Sequence, residues 1–139
     1  MKWIRMKNVK KLKAFSLTEV LVVLVIIGIL VLLALPNLMP LITKAKSTEA
    51  KMQLQHLYTL QKNHFYERSV YSSDLSELQY EQELLTSEGG QANYRIEIVE
   101  AGQTGFLAKA TAIADFNGNG TFNVWEIDES KTLREVTKD

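Results

Sequence analysis

The 139-residue sequence contains no cysteine. Disulfide frameworks, thiolate metal sites and cysteine nucleophiles are thereby excluded, though an oxidising compartment is not, since exported proteins need not use cysteine. Net charge is also missing: sixteen Lys and Arg balance sixteen Asp and Glu, so no basic excess points to a nucleic-acid partner. A catalytic constellation is lacking too. The chain has two histidines, scattered acids and no Gly-rich phosphate loop, and an enzyme is not expected. At 46% hydrophobic and 23% charged, it is too apolar for a disordered tail and long enough for one domain plus an extra segment.

The zero net charge hides a split by position. Residues 1–14 carry six basic groups (Lys2, Arg5, Lys7, Lys10, Lys11, Lys13) and no acid, which leaves ten basic against sixteen acidic residues, a net of −6, in the remainder. After this basic leader comes Val20 to Leu35, sixteen residues without a polar side chain, inside an uncharged stretch that reaches Thr43. A membrane span needs about 20 residues, and Leu17 to Ile42 supplies them if the helix tolerates Pro36 and Pro40. Fourteen of the sixteen are Leu, Ile or Val, worth roughly −4 to −8 kcal/mol on an insertion scale. Six positive charges before the span against Lys44, Lys46 and Lys51 after it favour a cytoplasmic N-terminus and an exported C-terminal part. A secretory signal peptide and a plain bitopic anchor are the bland alternatives. Against the first stand the length of the run, the lack of an A-x-A site and Glu19 at its front. Glu19 also bears on the second, because an unpaired acid at the edge of a membrane helix is costly and usually has a functional partner.

The run Lys13-Ala14-Phe15-Ser16-Leu17-Thr18-Glu19-Val20 resembles the cleavage site of type IV prepilins and pseudopilins, and the likeness continues through Val22-Val23 to Gly28-Ile29-Leu30 and Pro36. It departs from the family at Ala14, where Gly is usual, and more mildly at Ser16 and Thr18. The resemblance implies that a prepilin peptidase removes the leader between Ala14 and Phe15 and that the new N-terminal Phe15 is N-methylated. Cleavage would create a cationic amine four residues from Glu19, in surroundings that screen charge weakly. The resemblance implies further that Glu19 meets the amine of a neighbouring subunit and sets the register of assembly. It also implies that the helix loosens around Gly28 and Pro36, although both residues could equally kink a packed membrane helix. Its implied partners are further copies of the chain in a helical homopolymer, an inner-membrane platform protein, an assembly ATPase, and membrane lipid before assembly. The implied location is the inner membrane first and an extracellular or periplasmic filament afterwards.

Beyond the span, Lys44 to Tyr66 has no Gly or Pro and predicts a continuation of the first helix, with Ala50, Leu54, Leu57, Tyr58 and Phe65 as a stripe facing a sheet. His56 and His64 lie on it with no acidic or cysteine partner recognised at metal-ligand spacing, and read as surface or packing residues. Ser69 to Gly90 reads as a connector with one short helix over Asp74 to Leu78, capped by Ser73. Strands are expected at Tyr94 to Val99, Phe106 to Ala114, Thr121 to Ile127 and Thr132 to Val136. The second presents Phe106, Ala108, Ala110, Ala112 and Ala114 on one face, small enough for close approach of a helix. The expected fold is α+β: a long N-terminal helix on an antiparallel sheet of three to four strands, with residues 1–14 a removable leader, 15–43 the apolar helix and 44–139 the head. Tyr66, Tyr71 and Trp125 are candidates for contacts or for the core.

Asp115 to Glu126 also fits the spacing of an EF-hand loop. Asp115, Asn117, Asn119, the Thr121 carbonyl and Glu126 are the candidate ligands for Ca2+, although Asn117-Gly118 and Asn119-Gly120 are good turn dipeptides without any metal. The function expected is a structural subunit of a type IV pilus-like filament. The alternatives are a major pseudopilin of a type II secretion system and a membrane-anchored calcium-binding module.

Overall fold

The computed structural model describes residues 13–139, so most of the basic leader lies outside the described residues. Helix α1 runs unbroken from Leu17 to Arg68, followed by a 3-10 turn at Thr86–Glu88 and strands β1 (Tyr94–Ala101), β2 (Phe106–Ala112), β3 (Val124–Asp128) and β4 (Leu133–Thr137). Contacts divide the chain into two units, one ending at Pro36 and the other spanning Asn37–Asp139.

In the first unit every described side chain is exposed. Leu24, Ile27, Leu30 and Leu32 stand 50–71% open. Soluble monomers rarely leave a contiguous apolar surface of this extent uncovered, so the segment needs lipid or other chains around it. Pro36 and Pro40 sit inside the continuous helix. Neither has an N–H, so the carbonyls of Leu32 and Pro36 lose their helical donors at those two turns.

In the second unit α1 buries Thr43, Ser47, Ala50, Leu54, Leu57 and Gln61, a spacing of three and four that makes one face. Tyr58 and Phe65 are half-buried at its margin. The sheet is a meander in the order β1-β2-β3-β4, antiparallel throughout. Its inner face brings Tyr94 and Ile96 of β1, Ala108, Ala110 and Ala112 of β2 and Ile127 of β3 into one core with Ala50, Leu54 and Leu57. Alanines on the central strand leave room for the helix, as the sequence predicts. Beneath this core the Tyr94 hydroxyl donates to Asn123 Oδ1 (2.8 Å), and Asn123 Nδ2 donates to Glu135 Oε1 (2.6 Å) and the Thr137 carbonyl (3.0 Å). Burial pushes the Tyr94 phenol above its usual range, which keeps it protonated as the donor this network uses.

The connector differs from expectation. Asp74 to Leu78 forms no helix, because five residues cannot repay helix nucleation; a turn spans 75–79 instead. Asp74 and Ser72 organise it, the Ser76 N–H donating to Asp74 Oδ1 (2.8 Å) and the Asp74 N–H to Ser72 Oγ (3.0 Å). Ser72 is in turn held by Gln61, whose Nε2 donates to the Ser72 carbonyl (2.7 Å) while its Oε1 accepts the Ser72 N–H (3.0 Å). A buried glutamine thus ties the connector to α1. Tyr71 enters the core, Trp125 packs at its edge and Tyr66 is exposed.

Candidate processing and assembly site

Residues 13–16 are not helical, and Lys13, Ala14 and Phe15 are exposed, Phe15 at 84%. The Ala14–Phe15 bond is therefore presented outside the helix, where a peptidase need not unwind a turn to reach it. Ser16 and Glu19 explain why α1 starts where it does. The Ser16 N–H donates to Glu19 Oε2 at 2.7 Å, and the Glu19 N–H donates to Ser16 Oγ at 3.3 Å. This reciprocal pair is a capping box, the S-x-x-E signature that satisfies two orphan donors at a helix start. The Val20 N–H to Ser16 carbonyl bond (3.2 Å) closes the first turn. Phe15 and Val20 occupy the two positions flanking such a box that commonly pack together, and they line one shallow apolar hollow with Glu19, Val23 and Leu24. The sequence reading found Glu19 and missed its partner, although Ser16-x-x-Glu19 before an apolar run was the visible signal.

Gly28 lies in the same continuous helix, and a Cβ built there would meet nothing within 4 Å. Its lack of a side chain answers no need inside the chain.

Of the five candidate calcium ligands, the fold gathers Asp115, Asn117, Asn119 and Thr121 into one exposed loop and puts Glu126 elsewhere. The Asp115 carboxylate is filled by the loop's own backbone: Oδ1 accepts from the N–H of Asn117, Gly118 and Asn119, and Oδ2 accepts from Gly120 (2.5 Å). Asp139 closes the loop from outside, accepting from the N–H of Phe116 (2.6 Å) and Asn117 (3.2 Å). The Thr121 N–H and hydroxyl donate to Asn119 Oδ1, which delays the start of β3 to Val124. Glu126 is on the outer face of the sheet, where the register sets Glu97 beside Lys109, Lys109 beside Glu126 and Glu126 beside Arg134. Charge alternates across all four strands, the arrangement that favours cross-strand neighbours. Arg134 Nη2 reaches Glu126 Oε2 at 3.2 Å.

The backbone donors hold the Asp115 carboxyl below its ordinary value of 3.8, the Gly120 N–H contributing most. A depressed carboxyl contributes stability that is present above the unfolded pKa and lost as pH falls through the folded one. The loop is therefore expected to stay closed at neutral pH and to open only in acid. Followed by NMR, the Gly118 and Gly120 amide shifts should titrate together with a midpoint below pH 3.8, and Asp115→Asn should remove that step. A midpoint at or above the ordinary value contradicts this assignment.

The model of the prokaryotic N-terminal methylation motif matches residues 9–35. The chain is 37% identical over 84 residues to the type IV major pilin protein PilA of Myxococcus xanthus (strain DK1622), a match covering 60% of this chain and 36% of that protein. It thus spans only about a third of the curated relative's length. The second similarity is structural: the crystal structure of the non-core minor pilin PilV of Neisseria meningitidis superposes with a TM-score of 0.52 at 11% identity, over 70% of this chain and 90% of that one. At that identity the likeness shows the fold, one long N-terminal helix on a four-stranded antiparallel sheet. The two sequence similarities are thus to an N-terminal methylation motif and to part of a type IV major pilin.

Proposed function

We propose that this chain is a structural subunit of a type IV pilus-like filament, made as a precursor and matured by cleavage between Ala14 and Phe15. The observation that carries this reading is the junction itself. An exposed, non-helical Ala14–Phe15 bond stands directly before a Ser16–Glu19 capping box, which opens a helix whose apolar side chains from Val20 to Leu35 have nothing among the described residues to cover them. Before assembly the lipid bilayer covers that surface, with the N-terminus on the cytoplasmic side of the inner membrane. After assembly the equivalent helices of other subunits cover it. At about 25 cal/mol per Å² of apolar area, mutual burial holds the extracted subunits together against water; relative to lipid, which is as apolar as the helices, it supplies no drive of its own. A prepilin peptidase cuts the leader, the new Phe15 amine is methylated, and a platform protein with an ATPase supplies the work of extraction.

Mass spectrometry of the N-terminal peptide in sheared filaments and in membranes tests the reading. N-methylated Phe15 should dominate the filaments. The same mature form confined to membranes would replace a pilus subunit by a pseudopilin or minor subunit, and a different N-terminus would overturn the processing step.

A further inference from the structure

After α1 the connector folds back against His64. This side chain is only 10% exposed, and its Nδ1 lies 2.8 Å from the Val70 carbonyl oxygen. A carbonyl there requires the proton on Nδ1, so in the neutral imidazole Nε2 carries a lone pair. Nε2 is buried and has no hydrogen-bond partner. Facing it at 4.0 Å is Glu77 Oε2, which is fixed by the Ser72 hydroxyl donating to it at 2.6 Å. Two Lewis bases thus confront each other across a gap with no donor between them.

The gap exceeds the limit of about 3.2 Å for a direct hydrogen bond and admits either a bent water, whose two partners stand about 4.5 Å apart, or an ion. A divalent transition ion binds imidazole nitrogen and carboxylate oxygen at about 2.0–2.2 Å each; held tetrahedrally it needs the two atoms about 3.4 Å apart, a closure that the half-exposed Glu77 side chain can supply. The backbone carbonyl on Nδ1 is the support that metal-binding histidines commonly have. Glu67, three residues beyond His64 and so on the same helix face, lines the same cavity of about 220 Å³ together with Glu77 and Asn63. Among the described residues no three such side chains already surround one point, so the exposed Glu67 must turn inward, and water completes the coordination.

We propose that His64 and Glu77, joined by Glu67, bind one divalent transition ion of the zinc class and so clamp the connector onto α1. The mixed nitrogen and oxygen set suits zinc and its neighbours rather than calcium or magnesium, which prefer oxygen alone. The proposal does not depend on how the chain assembles.

The test uses the full chain in detergent micelles at neutral pH, titrated with Zn2+ and separately with Co2+. Zn2+ should raise Tm by roughly 10–20 °C at about a hundredfold excess over Kd. Co2+ should give a visible ligand-field spectrum that saturates at one ion per chain. His64→Gln and Glu77→Gln should abolish both responses, while His56→Gln should retain them. The spectrum is read on folded protein at low temperature, so a destabilised variant still reports. No saturable response, or one that survives His64→Gln, overturns the site. So does stabilisation that appears only on acidification without metal, which would assign the gap to a proton.

Discussion

Glu19→Ala is expected to leave the protein in the membrane and the filaments absent. Insertion rests on the Leu, Ile and Val side chains of Val20 to Leu35, none of which the substitution touches, and removing an acid from the edge of a membrane helix favours insertion further. What disappears is the negative charge at the mouth of α1. This variant removes two things together: the acceptor that Glu19 offers to the Ser16 N–H within its own subunit, and the charge proposed to meet a neighbour's Phe15 amine. Glu19→Gln separates them, since the amide oxygen can still accept the Ser16 N–H but carries no charge. Filament counts after shearing, beside membrane content by immunoblot, give the readout. Loss of filaments in both variants supports the ion pair. Filaments from Glu19→Gln but not Glu19→Ala would make capping the duty that matters, and normal filaments from both would remove Glu19 from assembly.

Much of this site could be read without coordinates because its signals are local. Six bases, a small residue, an aromatic and an acid at fixed spacing before an apolar run all lie within some twenty residues. The capping box was equally local. The strands of the head were legible for the same reason: alternation in Tyr94 to Val99 and the alanines of β2 follow from a period of two. Their ends moved where side chains bond to backbone, as when Asn119 holds Thr121 in the loop.

What could not be read is what depends on register. Glu97, Lys109, Glu126 and Arg134 lie on four different strands, and only the pairing of those strands makes them neighbours. Glu126 fits the twelfth position of a loop pattern by counting, yet its surroundings are set by Lys109 and Arg134. Of the partners of His64, Glu67 lies three residues on and is visible in the sequence, whereas Glu77 reaches it only when the connector folds back. Gln61 falls on the buried face of α1, but a polar residue there gives no hint that the Ser72 backbone awaits it.

Gly90→Ala is expected to destabilise the connector and, through it, the head. A Cβ at Gly90 would run into the Leu84 carbonyl group and the Leu84 Cβ, well inside van der Waals contact. The atoms in the way are backbone and the root of a side chain, so no rotamer relieves the clash. The Leu84 carbonyl is not free to move, because it accepts the Ala92 N–H at 3.0 Å. Gly90's own N–H donates to the Leu85 carbonyl (2.9 Å), and the Thr86 N–H donates to the Ala92 carbonyl (2.9 Å). These bonds place Leu85 and Ala92, both almost fully buried, just before Asn93, whose N–H and Nδ2 donate to the two carboxylate oxygens of Glu49 on α1 (2.8 Å each). Moving Leu84 therefore disturbs the entry to β1 and its tie to the helix. A cost of about 2–4 kcal/mol is expected, a fall in Tm of roughly 10–20 °C for a head of this size. Gly89 is the control. Its φ of +85° is left-handed, but a Cβ there meets nothing within 4 Å, so Gly89→Ala should cost only about 1–2 kcal/mol of backbone strain. Thermal unfolding of both variants measures the difference: similar losses would show that backbone conformation rather than space governs this turn, and a Gly90→Ala protein as stable as the parent would refute the packing described for it.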